Sequence, residues 1–159
     1  KAAQLDGGYR SYRRHVLAEL DVLPARLRFR IVCGVTGSGK TDILRRLMGG
    51  IPDDRRIVTI ESDPEFGTIG PRNRVALLYN PDHPRMTASA AVEAAKRLYP
   101  KSIWFQEVTG KEAFALTQAL LSGHSGGGTS WHAERGQEIE ALGTMIRMSP
   151  EGQSGRSDE

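Results

Sequence analysis

Apolar residues along this chain alternate between two periods, and the alternation predicts strands interleaved with helices. Tyr9, Tyr12, Val16, Leu17 and Leu20 fall at helical spacing with arginines between them, which predicts an amphipathic helix ended near Pro24. The apolar run 29–33 predicts the first strand. The run from Asp42 to Met48 has helical spacing and stops at Gly49 and Gly50, a helix C-terminal signal. Residues 56–61 and 75–79 predict two more strands, separated by a loop marked by Asp63-Pro64 and the stretch from Gly67 to Pro71. Thr87 is placed to cap a helix from Ala88 to Leu98. Residues 102–107 predict a strand, 111–121 a helix closed by Gly123, 126–132 a glycine-led strand, and 139–148 a last helix. Such an order predicts an α/β domain with a mainly parallel sheet covered by helices on both faces. Residues 1–28 read as an N-terminal helix and linker, 29–152 as the domain, and 153–159 as a polar tail.

The junction of the first strand with the helix after it carries the strongest chemical signal. Gly34-Val-Thr-Gly-Ser-Gly-Lys40-Thr41 is a complete G-x-x-x-x-G-K-[ST] phosphate loop in the strand–loop–helix context that the motif requires. Glycine lets backbone N–H groups turn inward to form an anion nest, and the following helix aims its positive end at the same anion. Gly34, Thr36, Gly37, Ser38 and Gly39 are the expected phosphate cradle. Lys40 is expected on the β and γ phosphates and Thr41 on Mg²⁺.

Composition narrows the class. The chain has 159 residues, 38% hydrophobic and 26% charged, which suits one soluble globular domain. The net charge of +3 is too small to argue for nucleic-acid binding. Basic residues do gather early, at Arg10, Arg13, Arg14, Arg26, Arg28 and Arg30, as a phosphate- or membrane-facing patch or, more simply, a solvated helix face. The single cysteine, Cys33, precludes an internal disulfide and reads as a structural thiol. No apolar stretch approaches the length of a membrane span and no signal-peptide pattern is present, so a cytoplasmic setting is expected. Both ends read as cuts within a longer protein.

Ligands of parallel sheets bind at the carboxyl ends of strands, and two predicted strands end in Glu61 and Glu107. Glu107 is placed to orient a water or act as a base; a plain surface acid is the alternative. Glu61, Asp63 and Glu65 form an acidic group that suits hydrated Mg²⁺ or water positioning, or is a solvated loop. His124 and His132 flank a small-residue segment whose glycines would let backbone approach a ligand. With no cysteine nearby and no zinc-type spacing, a γ-phosphate hydrogen-bonding role is the better reading of the pair.

From about Arg30 to Gly152 these segments together resemble the catalytic domain of the secretion ATPases, the motors of type IV secretion and conjugative transfer, related to type II secretion and pilus motors. The boxes appear in order: the phosphate loop, the acidic box Ile57 to Glu65, the Walker B-like box Ile103 to Gly110, and the histidine box Gly123 to Ala133. The resemblance implies a RecA-like fold, a six-membered ring, and ATP hydrolysis with Mg²⁺ at the cytoplasmic side of the inner membrane, among secretion or conjugation components. It implies catalytic roles for Glu107, Glu61, Glu65 and His132, nucleotide contact by His124, and Thr41, Glu61 and Glu107 as the Mg²⁺ candidates. Three positions depart from the family pattern: Ser62 where Asp is usual, Gln106 where Gly is usual, and Thr109 where Arg is usual. They bear on turnover and on subunit contacts, so a nucleotide-binding module with little turnover is an alternative. The segment from Leu5 to Gly34 is also similar to the domain junction of tRNA 2-selenouridine synthases, and the P-loop domain of such an enzyme is the other alternative.

Overall fold

The structure, a computed structural model, describes residues 29–110, 112–121 and 126–149. The N-terminal helix expected over residues 9–20, most of the arginine cluster, His124 and the polar tail lie outside the described residues.

Five strands, β1 (Phe29–Cys33), β2 (Ile57–Glu61), β3 (Arg74–Leu78), β4 (Ser102–Phe105) and β5 (Gly127–Trp131), form one sheet in the order β1-β5-β4-β2-β3. All four pairings are parallel. The helices are α1 (Lys40–Gly49), α2 (Ala88–Arg97), α3 (Ala113–Leu121) and α4 (Glu138–Met148). The expected α/β architecture is what forms.

Side-chain alternation along the central strands divides the core in two. Ile57 of β2 and Trp104 of β4 pack with Leu44 and Met48 of α1 and with Phe66. Val58, Ile60, Ile103 and Phe105 point the other way, into a larger cluster with Val92 of α2, Leu116 of α3 and Trp131. The sheet is therefore covered on both faces, by α1 on one and by α2, α3 and α4 on the other. In α1 the buried positions are Lys40, Leu44 and Met48, one helical stripe. Burying Leu44 alone stabilises the fold by about 2 kcal/mol. That same stripe turns Lys40 inward, so packing of the helix aims the lysine.

Local chemistry sets the helix ends. The Thr87 hydroxyl accepts from Ala90 N–H at 3.1 Å and caps α2 as its sequence position predicts. Trp131 donates its indole N–H to the Glu138 carbonyl at 3.2 Å, which ties the start of α4 to the end of β5. β4 stops at Phe105, two residues short of the predicted strand end, where its pairing with β5 slips by one residue: Ile103 N–H bonds Gly126, and Val108, five residues on, bonds Ser130, only four residues on. Gln106 N–H still bonds Ile60 on β2 at 3.0 Å, while Val108 N–H bonds Ser130 on β5 at 2.8 Å. Among the described residues, no helix is long and apolar enough to cross a membrane.

Candidate functional site

In the sheet order β1-β5-β4-β2, neighbouring strands end in the phosphate loop, His132, Glu107 and the acidic segment 61–65. Parallel strands place these carboxyl ends side by side, so residues almost a hundred positions apart in sequence meet at one edge.

Gly39 takes the left-handed conformation, φ 85°, and immediately precedes α1 with no side chain capping the helix. The first-turn amides of α1 are therefore free of a side-chain cap and face the loop, which is the arrangement that favours an anion.

Lys40 is buried and its ammonium spans the mouth of the loop. Nζ donates to the carbonyls of Gly34 at 3.2 Å and Val35 at 3.3 Å, and lies 3.3 Å from Nδ1 of His132. Glu107 Oε1 is 3.8 Å from the same nitrogen. His132 Nε2 lies 3.1 Å from Glu107 Oε1. An ammonium has no lone pair, so Nδ1 accepts from Lys40 and the proton sits on Nε2, which donates to Glu107. Glu107, His132 and Lys40 form one closed set.

The acidic segment divides its labour differently from the expectation. Glu65 reaches the loop: its Oε2 accepts from the Thr41 hydroxyl at 3.3 Å. Glu61 does not reach Thr41. Its carboxylate is buried, with Oε1 accepting from Thr59 Oγ1 at 2.7 Å and Oε2 from Phe66 N–H at 3.0 Å. Thr41 and Glu65 are hard oxygen donors side by side, the kind Mg²⁺ takes from a protein when phosphates and water supply the rest. Among the described residues no group of three His, Cys, Asp or Glu could hold a metal by itself.

The histidine-box glycines serve the sheet at the described positions, contrary to the expectation of ligand approach. A Cβ on Gly127 would lie 1.9 Å from the Ile103 carbonyl oxygen, and one on Gly128 2.7 Å from the Trp104 ring. Cys33 is half-buried; burial first and the charge of Glu138 second push its thiol above the ordinary range, with Lys40 opposing. A raised thiol pKa keeps the nucleophilic thiolate scarce, which fits a structural role.

Sequence reasoning missed a buried polar relay behind the site. Glu112, buried, accepts at Oε2 from Thr109 N–H at 3.2 Å and from its hydroxyl at 3.1 Å. Thr109 and Glu112 have T-x-x-E spacing, but Gly110 between them is at φ 150° and α3 begins only at Ala113, so the pair is a local tie and not a capping box. Burial, then the charge of Glu112 and a hydrogen bond to it, push the Tyr79 phenol above its ordinary range, and a hydrogen bond with Ser62 opposes them. A cavity of about 490 Å³ opens beside His132, lined in part by Thr109, Glu140, Thr144 and Met145.

A family model described as "Type II/IV secretion system protein" matches residues 12–153. The chain belongs to this family. Type IV secretion system protein PtlH of Bordetella pertussis is 46% identical over 125 residues, covering 76% of this chain and 37% of that protein. VirB11 of Brucella suis is 34% identical over 131 residues, covering 79% of this chain and 36% of that protein. The chain thus spans little more than a third of the length of these relatives. Among solved structures, the VirB11 ATPase of Brucella suis in complex with sulphate superposes with a TM-score of 0.72 at 33% identity, over 96% of this chain and 43% of that one. The Legionella pneumophila ATPase DotB gives 0.56 at 25% identity, over 89% of this chain and 39% of that one.

Proposed function

We propose that this chain binds ATP with Mg²⁺ and hydrolyses it, as the motor domain of a type IV secretion or conjugative transfer ATPase. The observation that carries this reading is the meeting of Lys40, His132 and Glu107 at the mouth of an intact phosphate loop. Relatives named as the VirB11 ATPase of a type IV secretion system and as the ATPase DotB support it. A hexameric ring at the cytoplasmic side of the inner membrane, among other secretion components, belongs to the same proposal.

The chemistry follows from what each group can do. The Lys40 ammonium, now parked on its own loop carbonyls, exchanges those long contacts for phosphate oxygens and offsets charge that spreads over the γ-phosphoryl. Glu107 accepts the proton of an attacking water or holds that water in line. His132 fixes the Glu107 carboxylate through Nε2–H and Lys40 through Nδ1, so one ring sets the spacing of cation and base. Thr41 and Glu65 are the residues that would hold Mg²⁺, which supplies further charge neutralisation when bound.

Phosphate release by the protein and two variants tests this. Glu107→Gln should lower kcat by about 10² to 10⁴ while leaving ATP affinity nearly unchanged. Lys40→Ala should lose affinity and turnover together. Hydrolysis untouched by either substitution would overturn the assignment. A second reading, nucleotide binding with little turnover, draws on Thr109, whose side chain is engaged with Glu112. Clear ATP binding with no phosphate release would favour it.

A further inference from the structure

Gln106 is buried at the end of β4, and its Oε1 accepts from Ser62 N–H at 3.1 Å and Asp63 N–H at 3.1 Å. The Ser62 hydroxyl lies 3.4 Å from the same oxygen. Two backbone amides converge on one atom, which only the carbonyl oxygen of the carboxamide can accept. Four residues on, the Glu61 carboxylate takes Phe66 N–H. The turn between is closed by Glu65 N–H bonding the Asp63 carbonyl at 2.7 Å. The acidic segment is therefore gripped at its start by Gln106 and at its end by Glu61. Glu65 lies between the two grips with its carboxylate on Thr41.

We infer that Gln106 is a positioning residue for the Mg²⁺ side of the site. It anchors the segment 62–66 to the end of β4, so that Glu65 stands beside Thr41 and the turn keeps a fixed distance from the neighbouring Glu107. A side chain without that acceptor frees two amides, the turn loses its anchor, and Glu65 leaves the Thr41 hydroxyl. Lys40 and the amides of the phosphate loop are untouched by such a change, because none of them bonds Gln106. The loss is specific to binding that depends on the metal.

This inference rests on the proposed Mg²⁺–ATP reading, and its test separates the two. The affinity of a non-hydrolysable ATP analogue is measured by calorimetry, with Mg²⁺ and with EDTA, for the protein and for Gln106→Met and Gln106→Glu. Methionine keeps the length and removes the acceptor; glutamate keeps an acceptor oxygen. Gln106→Met should weaken binding about tenfold with Mg²⁺ and leave it within about twofold in EDTA. Gln106→Glu should recover most of the loss. Should the methionine variant not fold, Gln106→Asn, which withdraws the acceptor by one methylene, should show the same split. An unchanged Mg²⁺-dependent affinity, or an equal loss with and without Mg²⁺, overturns the role of Gln106. Absence of any analogue binding by the unsubstituted protein instead overturns the reading beneath it.

Discussion

Lys40 carries three N–H donors and meets three acceptors, at Gly34, Val35 and His132. Its identity and place were legible in the motif; its contact with His132, one residue past β5, was not, because spacing along a chain does not report contacts across a sheet. Glu61 is the reverse case. An acid at a strand end reads as a candidate ligand, yet its oxygens serve Thr59 and Phe66. A buried acceptor with two donors is a structural tie, and its loss orphans both donors. Glu61→Ala should destabilise the fold by about 2–4 kcal/mol in urea unfolding, while Glu61→Gln costs about 1 kcal/mol. If Glu61→Gln folds normally but abolishes Mg²⁺-dependent nucleotide binding, Glu61 is a ligand after all.

Among the elements, the strands and helices were largely legible because each has one clean period and clear punctuation. The segment 127–131 was found as a strand, but the reason for its glycines was not. No local pattern says that β5 must lie against the Ile103 carbonyl and the Trp104 ring. Trp104 is a large buried side chain, and Gly128 leaves the space that its ring fills. Gly127→Ala cannot be relieved by a rotamer, since the clash is with backbone and φ is 142°. It should cost about 3 kcal/mol or more and lower Tm by at least about 6 °C. A shift under about 2 °C would mean that β5 does not approach β4 this closely. α3 begins at Ala113, two residues later than predicted; Gly110, at φ 150°, stands outside the helical region before it.

For the molecule as a whole, strand order decides function. β1 and β2 are consecutive strands in sequence but are separated in the sheet by β5 and β4. That crossover brings the later boxes between the phosphate loop and the acidic segment. Sequence alone delivered the boxes and, through the rule that parallel sheets bind at their strands' carboxyl ends, the expectation that Glu61 and Glu107 lie near the phosphate loop; it did not deliver which acid faces Thr41 or what holds it there. The hydrogen bonds from Ser62 and Asp63 to Gln106 supply that answer, at a position that reads in sequence only as a departure.

Calorimetric titration of Mg²⁺–ATP into the folded protein, beside Lys40→Ala, tests the central claim most directly. A saturable one-to-one isotherm that the substitution abolishes is the expected result. No saturable heat, or the same isotherm for both proteins, would contradict the account.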